Sequence, residues 1–194
     1  MVIDFEIGKG DWKKQIFEIG YGIDKKFWNG INKVTLSDFH MIENAINRKL
    51  PEDFKQFYSE IGYGHFPFDF GHSFYSPSEI IDNCHAPVYF VTGSMIPNAE
   101  WAKNEEQRKF YISHGINNPN PAKFTKEVLI FDNINLLDLV QFGADGSCCY
   151  HQLYTGNAKN IGYCLLTGYA IENIGISFSS ALKRMFEEYF DNIA

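Results

Sequence analysis

The sequence predicts a single α+β domain in which a central antiparallel sheet is flanked by helices. Two helix patterns follow one another between residues 34 and 64, and the strand patterns gather later, between residues 128 and 176. An amphipathic pattern from residue 178 onward predicts a last helix that packs on the sheet. Because the strands cluster after the first helices, the order favours this class over a doubly wound parallel fold.

The first helix is predicted to begin after Thr35. Its hydroxyl and the carboxylate of Asp38, three residues later, form a capping pair at the positive end of the helix dipole. The apolar positions recur at helical spacing and are predicted to be buried: Phe39, Ile42, Ala45 and Ile46. The remaining positions are predicted to face water: Glu43, Asn44, Asn47 and Arg48.

A second helix is predicted to start at Pro51, since proline has a fixed φ and no N–H to lose. Glu52 and Asp53 then occupy the first turn, beside the positive end of the dipole. An aromatic stripe follows at helical spacing: Phe54, Phe57, Tyr58 and Ile61. Gly62 stands where a left-handed C-cap is expected.

These residues resemble the opening of the SUKH superfamily, the Smi/Knr-type proteins. The recurring pattern there is a helix, a Leu-Pro-x-Asp-[Phe/Tyr]-Lys-x-Phe core and a Gly-containing exit, which correspond here to residues 50–57 with Gly62 and Gly64. The aromatic loop at 65–76 and its Ser-Pro-Ser-Glu-Ile helix start are also similar. The resemblance implies a small α+β domain, and a bacterial immunity protein that binds and neutralises a cognate polymorphic toxin, frequently a nuclease.

The later elements follow from local signals. Ser76 or Ser78, with Pro77, is predicted to start a helix. Strands are predicted at Val128 to Phe131, Leu136 to Gly143 and Cys148 to Tyr154, with one or two more within 161–176. The pair Asp145-Gly146 suits a tight hairpin turn. The buried stripe of the last helix is predicted to comprise Phe178, Ala181, Leu182, Met185, Phe186, Tyr189 and Phe190.

A chain of 194 residues fits one domain. Residues 1–33 are predicted to be an N-terminal extension packed on the domain, since loose tails rarely carry two tryptophans. The domain itself is predicted to span 34–194. Within it, the polar and proline-containing stretch 93–127 is predicted to be an insertion or a long connection, with a helix pattern from 98 to 111.

The charge balance favours a basic protein partner. The chain has 24 acidic and 17 basic side chains and a net charge of -7, which disfavours nucleic acid and anionic membranes. The alternative is an acidic surface kept for solubility. The residues predict neither a signal peptide nor a spanning helix. The four cysteines lack the spacing of a disulfide framework, so reduced thiols and a cytoplasmic location are expected: Cys84, Cys148, Cys149 and Cys164.

Cys149 and His151 are the best candidates for chemistry, because a thiolate beside an imidazole is activated and either group binds zinc. They share one face of a predicted strand, and Cys148 points to the other. The sequence supplies neither further ligands nor an orienting acid, so packing within a hairpin is preferred, with no catalytic residue, metal or cofactor. The other histidines are predicted to be hydrogen-bonded locally in loops or turns: His65, His72, His85 and His114.

A toxin-binding surface is expected to combine carboxylates that steer a basic partner with exposed aromatic anchors. Near loops and strand ends the candidates are Tyr63, Tyr75, Glu79, Asp82, Asp138 and Asp145. The predicted function is therefore stoichiometric inhibition without turnover. Two alternatives remain open at this stage: a regulatory scaffold like the yeast cell-wall and signalling members of the superfamily, and a thiol hydrolase that uses Cys149 and His151.

Overall fold

A computed structural model describes residues 4–23, 32–66, 72–84, 86–87, 129–147, 149–167 and 170–193. Its helices are α1 (Trp12–Ile23), α2 (Leu36–Ile46), α3 (Glu52–Glu60), α4 (Pro77–Asp82) and α5 (Phe178–Ile193), and Leu136–Asp138 form a 3₁₀ turn. The predicted insertion at 93–127 and the helix pattern inside it lie outside the described residues. So do Cys148, His85 and His114.

The central sheet is antiparallel throughout and has six strands within the described residues. Their spatial order is β1 (Gly64–Phe66), β2 (His72–Phe74), β5 (Leu139–Ala144), β6 (Tyr150–Tyr154), β7 (Tyr163–Leu166) and β8 (Ile171–Gly175). A separate two-stranded hairpin is formed by β3 (Ile130–Phe131) and β4 (Ile134–Asn135). The predicted α+β class with a central antiparallel sheet is confirmed.

The N-terminus of α2 has the predicted capping box. The Thr35 amide donates to the Asp38 carboxylate at 2.8 Å, and the Asp38 amide donates to the Thr35 hydroxyl at 3.4 Å. Ser76 and Glu79 make the same reciprocal arrangement at the start of α4. Both starts could be predicted because their donors and acceptors lie within four residues of each other.

Two side chains of α2 differ from the prediction. Glu43 is 7% exposed, and its carboxylate accepts hydrogen bonds from Lys49 Nζ at 2.6 Å and from the Leu50 amide at 3.1 Å. Burial opposes its ionisation, but these donors outweigh burial and lower the pKa of Glu43. Ala45, predicted to be buried, is exposed. The chain turns sharply before α3, and the buried carboxylate satisfies the amide in that turn.

The second helix begins one residue later than predicted, with Pro51 as its N-cap rather than its first residue. The aromatic stripe is confirmed: Phe54, Phe57, Tyr58 and Ile61 are all buried. Gly62 has a φ of 127°, and its amide donates to the Phe57 carbonyl at 3.1 Å. That backbone conformation favours glycine, so the position of the helix stop is explained by the absence of a side chain.

Aromatic rings join α3 to both the sheet and α5. The ring of Phe54 lies 5.4 Å from that of Phe142 on β5 and 5.3 Å from that of Phe178 on α5, centroid to centroid. Phe57 contacts Phe178 at 5.2 Å and Phe66 on β1 at 5.9 Å. Most of these pairs are edge-to-face, the arrangement that aromatic quadrupoles prefer. The helix therefore packs against both the sheet and the last helix.

Asp53, the acidic residue of the Leu-Pro-x-Asp pattern, connects α3 to α5. One carboxylate oxygen accepts from the Phe54 amide at 2.9 Å, and the other accepts from the Ser179 amide at 2.9 Å, 126 residues away. Amides in the first turn of a helix have no partner inside the helix. Asp53 therefore supplies an acceptor, and a negative charge, to the N-terminus of α5.

Residues 4–19 pack against the same core as the rest of the chain. Phe5 contacts Phe186 with ring centroids 6.0 Å apart, and the Ile7 amide donates to the Ser179 hydroxyl at 3.2 Å. Trp12 and Ile16 are buried in that core. The N-terminal segment thus contacts α5 directly, and a boundary between extension and domain at residue 33 stays a prediction.

Replacing Phe57 with alanine is expected to lower the free energy of unfolding by about 3 to 5 kcal/mol, because the ring is 1% exposed and its loss leaves a cavity among four aromatic neighbours. Equilibrium denaturation measures the change. Met41→Ala, at a position on α2 that is 52% exposed, is the control and should change stability by less than ~0.5 kcal/mol. A loss below ~1 kcal/mol in Phe57→Ala would contradict the packing described.

Replacing Asp53 with alanine is expected to cost about 1 to 3 kcal/mol, because two amides lose a charged acceptor. In that variant, amide hydrogen exchange should become faster in the first turn of α5 and change less in β6. The neighbouring Glu52, whose side chain is 88% exposed, provides the control: Glu52→Ala should cost less than ~1 kcal/mol and leave α5 unchanged. Equal effects of the two variants on α5 would refute the link.

Candidate functional site

Four of the six predicted partner-binding residues lie on segments next to Tyr58: Tyr63, Tyr75, Glu79 and Asp82. The hydroxyl of Tyr58 donates to the Phe142 carbonyl at 3.3 Å, and the Tyr75 amide donates to the same carbonyl at 2.8 Å. The ring of Tyr63 stacks on that of Tyr58, with centroids 6.3 Å apart and planes at 23°. We define the acidic-aromatic rim as Tyr63, Tyr75, Glu79 and Asp82.

The charge of Glu79 acts on two tyrosines at or next to this rim, Tyr58 and Tyr75. Burial, reinforced by the Glu79 charge, raises the pKa of Tyr58 well above its usual value. Burial also raises the pKa of the half-buried Tyr75, and Glu79 contributes in the same direction. Glu79 itself is exposed on α4, as is Asp82 one turn later. The rim therefore presents two carboxylates to solvent beside two partly buried tyrosines.

Asp138 and Asp145 stand at opposite ends of β5, and both have intramolecular partners. The Asp138 carboxylate is 3.2 Å from Arg48 Nη2. The Asp145 carboxylate accepts from the amides of Ser147 and Cys149 at 2.8 and 2.9 Å, which closes the β5–β6 turn. Burial opposes ionisation of Asp145, but these donors keep its pKa below the usual value. Both carboxylates therefore stabilise the folded chain through intramolecular contacts.

The structure gives His151 partners other than Cys149. One ring nitrogen of His151, Nδ1, contacts the hydroxyl of Tyr163, and Nε2 lies 2.7 Å from His72 Nδ1. Both nitrogens are therefore engaged, and the residue has no exposed surface. The Cys149 sulfur instead lies 3.6 Å from the Ser147 hydroxyl. A base for Cys149, which the hydrolase alternative requires, is not provided by His151.

The prediction of local hydrogen bonding holds for His65, whose Nδ1 is 3.2 Å from the Ser73 hydroxyl across the β1–β2 hairpin. His72 also has a distant partner, His151, 79 residues away. Antiparallel pairing brought these two histidines together, and no local pattern in the sequence signals that contact.

Burial shifts the pKa values of two interior groups, His151 and Cys164. Burial, with a smaller contribution from His72, lowers the pKa of His151 to about 3, while Asp145 acts in the opposite direction. Burial raises the pKa of the Cys164 thiol to about 12, so it stays protonated and unreactive at neutral pH. Within the described part of the chain, no three His, Cys, Asp or Glu side chains are arranged to hold a metal ion.

A row of buried amides was not predicted from the sequence. Gln152 Nε2 donates to Gln141 Oε1 at 3.2 Å, and Gln141 Nε2 donates to the Tyr75 hydroxyl at 3.3 Å. Both glutamines are buried. On β5 and β6, each glutamine lies on the face of the sheet opposite to its two neighbours along the strand. The row connects the rim to the interior of the sheet at Tyr75.

Comparison with known families gives a match over most of the chain. The SMI1 / KNR4 family (SUKH-1) is matched by residues 33–168, a span that runs from just before α2 to the end of β7. No curated protein matches the chain. Among the helices described, none is both long enough and apolar enough to cross a bilayer.

The pH dependence of stability is expected to report the burial of His151. Its pKa is about 3 in the folded protein against 6.5 for a free imidazole, so the unfolded chain binds more protons between these values. The free energy of unfolding should therefore be insensitive to His151 above pH 6.5 and fall below it, by up to about 1.4 kcal/mol per pH unit.

Urea denaturation at about pH 7, 6 and 5 tests this slope in a window above the usual carboxylate pKa values. His151→Asn should remove the slope, whereas His40→Asn, at an exposed position on α2, should keep it. A slope that persists in His151→Asn would contradict the assignment.

Proposed function

Because the chain belongs to the SMI1/KNR4 family (SUKH-1), we propose that it is an immunity protein that binds a cognate toxin and neutralises it by stoichiometric protein–protein contact. The match over residues 33–168 is the observation that carries this proposal. The proposed partner is a basic toxin domain met in the cytoplasm. No nucleic acid, membrane or cofactor takes part.

The acidic-aromatic rim supports this proposal as the contact surface. Exposed carboxylates accelerate encounter with a basic partner, and tyrosines that are already partly held lose little conformational freedom when a partner covers them. Tyr63 is held by its stacking on Tyr58, and Tyr75 by its backbone and hydroxyl hydrogen bonds. The net charge of -7 acts in the same direction at longer range.

A nuclease is the toxin class that this chemistry fits best. A nuclease must attract phosphate groups, so its cleft is basic. A surface that presents carboxylates such as Glu79 and Asp82 occupies the position of phosphates in such a cleft. Inhibition then follows from occupancy alone, because the cleft is closed to nucleic acid.

The partners of His151 support action without turnover. A catalytic pair needs a nucleophile within hydrogen-bond reach of a base that can take its proton. His151 is enclosed between Tyr163 and His72, with neither nitrogen directed to a thiol. The proposal therefore assigns no catalytic residue to this chain.

Co-expression with the toxin encoded beside this gene tests the proposal directly. We expect growth to be restored and a stoichiometric complex to elute on gel filtration. Persistent toxicity, with no complex on gel filtration, would refute the proposed function.

The double substitution Glu79→Gln and Asp82→Asn is expected to slow association with that toxin about tenfold at low salt, because two steering charges are removed. Glutamine at position 79 can still complete the capping box, so α4 should remain folded. Stopped-flow or surface-based kinetics at two salt concentrations measures the effect. Asp11→Asn with Glu187→Gln removes the same charge at exposed positions on or beside α1 and α5, and should have little effect. Equal slowing by the two double variants would contradict the rim as the contact surface.

A further inference from the structure

The imidazoles of His72, on β2, and His151, on β6, meet across β5, and His151 is paired there with a residue that has no side chain, Gly143. Phe74 of β2 and His151 of β6 are both paired with Gly143, so β5 separates their strands. A Cβ at Gly143 would lie 2.5 Å from the Ser73 carbonyl oxygen and 3.1 Å from the His151 ring. The ring of His72 stacks on that of His151, with centroids 4.8 Å apart and planes at 24°.

This contact adds to a short strand pairing. Two residue pairs define the β2–β5 ladder, Ser73 with Ala144 and Phe74 with Gly143. The hydrogen bond between His72 and His151 then ties β2 directly to β6, the strand beyond β5. The β1–β2 hairpin therefore depends on this imidazole pair for part of its attachment to the sheet.

The burial of Tyr163 determines which ring nitrogen of His151 carries the proton. Its side chain has no exposed surface, and burial raises the pKa of the phenol well above its usual value, so the hydroxyl keeps its proton. A buried hydroxyl needs an acceptor, and His151 Nδ1 is in contact with it. Neutral His151 then carries its proton on Nε2 and donates it to His72 Nδ1.

We propose that the row Tyr163, His151 and His72 is a pH-sensitive latch that holds the β1–β2 hairpin on the sheet. A proton taken up at His72 Nδ1 turns this acceptor into a donor. His151 must then accept at Nε2 and carry its own proton on Nδ1. One proton is gained in total, the charge stays on His72, and His151 remains neutral with its tautomer inverted.

Inversion leaves the hydroxyl proton of Tyr163 without its acceptor. The rings around Tyr163 are those of Phe142 and Phe178, with centroids at 5.4 and 6.5 Å, and they offer no comparable acceptor. Protonation of His72 is therefore unfavourable while His72 contacts His151. It becomes more favourable when His72 moves away from His151, and that movement loosens β2 from β5.

Within the described part of the chain, the other titratable groups around the row do not change this sequence of proton transfers. Asp145, in the β5–β6 turn, faces both histidines and favours a cationic His72. Cys164 on β7, Tyr58 on α3, and Asp145 and Glu188 act on Tyr163, and all four keep its phenol protonated. His65 lies on the opposite face of the hairpin, where it contacts Ser73.

The latch also lies beside the proposed contact surface. Tyr63 immediately precedes β1, and Tyr75 immediately follows β2, so both rim tyrosines flank the hairpin. Loosening of the hairpin at low pH would shift both. The latch is a property of the free chain and stands whether or not the proposed partner binds.

Long-range ¹H–¹⁵N NMR of the full chain, with labelled histidine, tests the proposal from about pH 8 to about pH 5. At the higher pH, His151 should show a protonated Nε2 and an unprotonated Nδ1. As His72 becomes cationic and leaves His151, the amides of β2 should exchange faster relative to those of β7. Where His72 stays in contact, the two His151 nitrogen signals should exchange character. A cationic His72 beside an unchanged His151 tautomer, with unchanged β2 protection, would overturn the latch.

Two matched tyrosine variants separate the latch from a general loss of packing. Tyr163→Phe removes the hydroxyl that opposes inversion, so the midpoint of the His72 titration should rise by about one pH unit. Tyr58→Phe removes another fully buried hydroxyl, bonded to the Phe142 carbonyl instead, and should leave that midpoint unchanged. Equal shifts in the two variants would overturn the assignment of Tyr163.

Discussion

Phe142 on β5 connects the sheet to the helices α3 and α5, through its ring and through its carbonyl. Its ring contacts Phe54 on α3 and Phe178 on α5, with centroids at 5.4 and 5.6 Å. Its carbonyl accepts hydrogen bonds from the Tyr58 hydroxyl and the Tyr75 amide. A buried carbonyl must be satisfied, so these two donors fix where α3 and the end of β2 meet the central strand. The position of the rim follows from that meeting point.

The sequence predicted the elements whose signals are local. Capping boxes at Thr35 and Ser76, and the aromatic stripe of α3, are patterns within a few residues, and the structure contains them. The helical pattern predicts that Glu43 faces water, because it is one of the polar positions between the apolar residues of α2. Its burial depends on Lys49 and Leu50, which lie beyond the helix, and periodicity carries no information about such partners.

The site was predictable in its residue types and much less in its geometry. The sequence predicts Tyr63, Tyr75 and Glu79 as aromatic anchors and a steering carboxylate. The hydrogen bond that brings their segments together joins residues 84 apart, from Tyr58 to Phe142. Strand alternation likewise placed Cys149 and His151 on one face without indicating that His151 would be engaged by His72 and Tyr163. Contacts across a sheet depend on register, which single-sequence patterns leave open.

The Leu-Pro-x-Asp pattern and the aromatic stripe of α3 build the core, whereas the proposed partner contact is the rim around the β1–β2 hairpin and α4. Hydrogen exchange measured by mass spectrometry, on the full chain alone and in complex with the proposed toxin partner, tests this division between core and contact surface. We expect new protection in peptides that cover 63–66 and 72–84. Protection confined to β8 and α5, with the rim peptides unchanged, would contradict it.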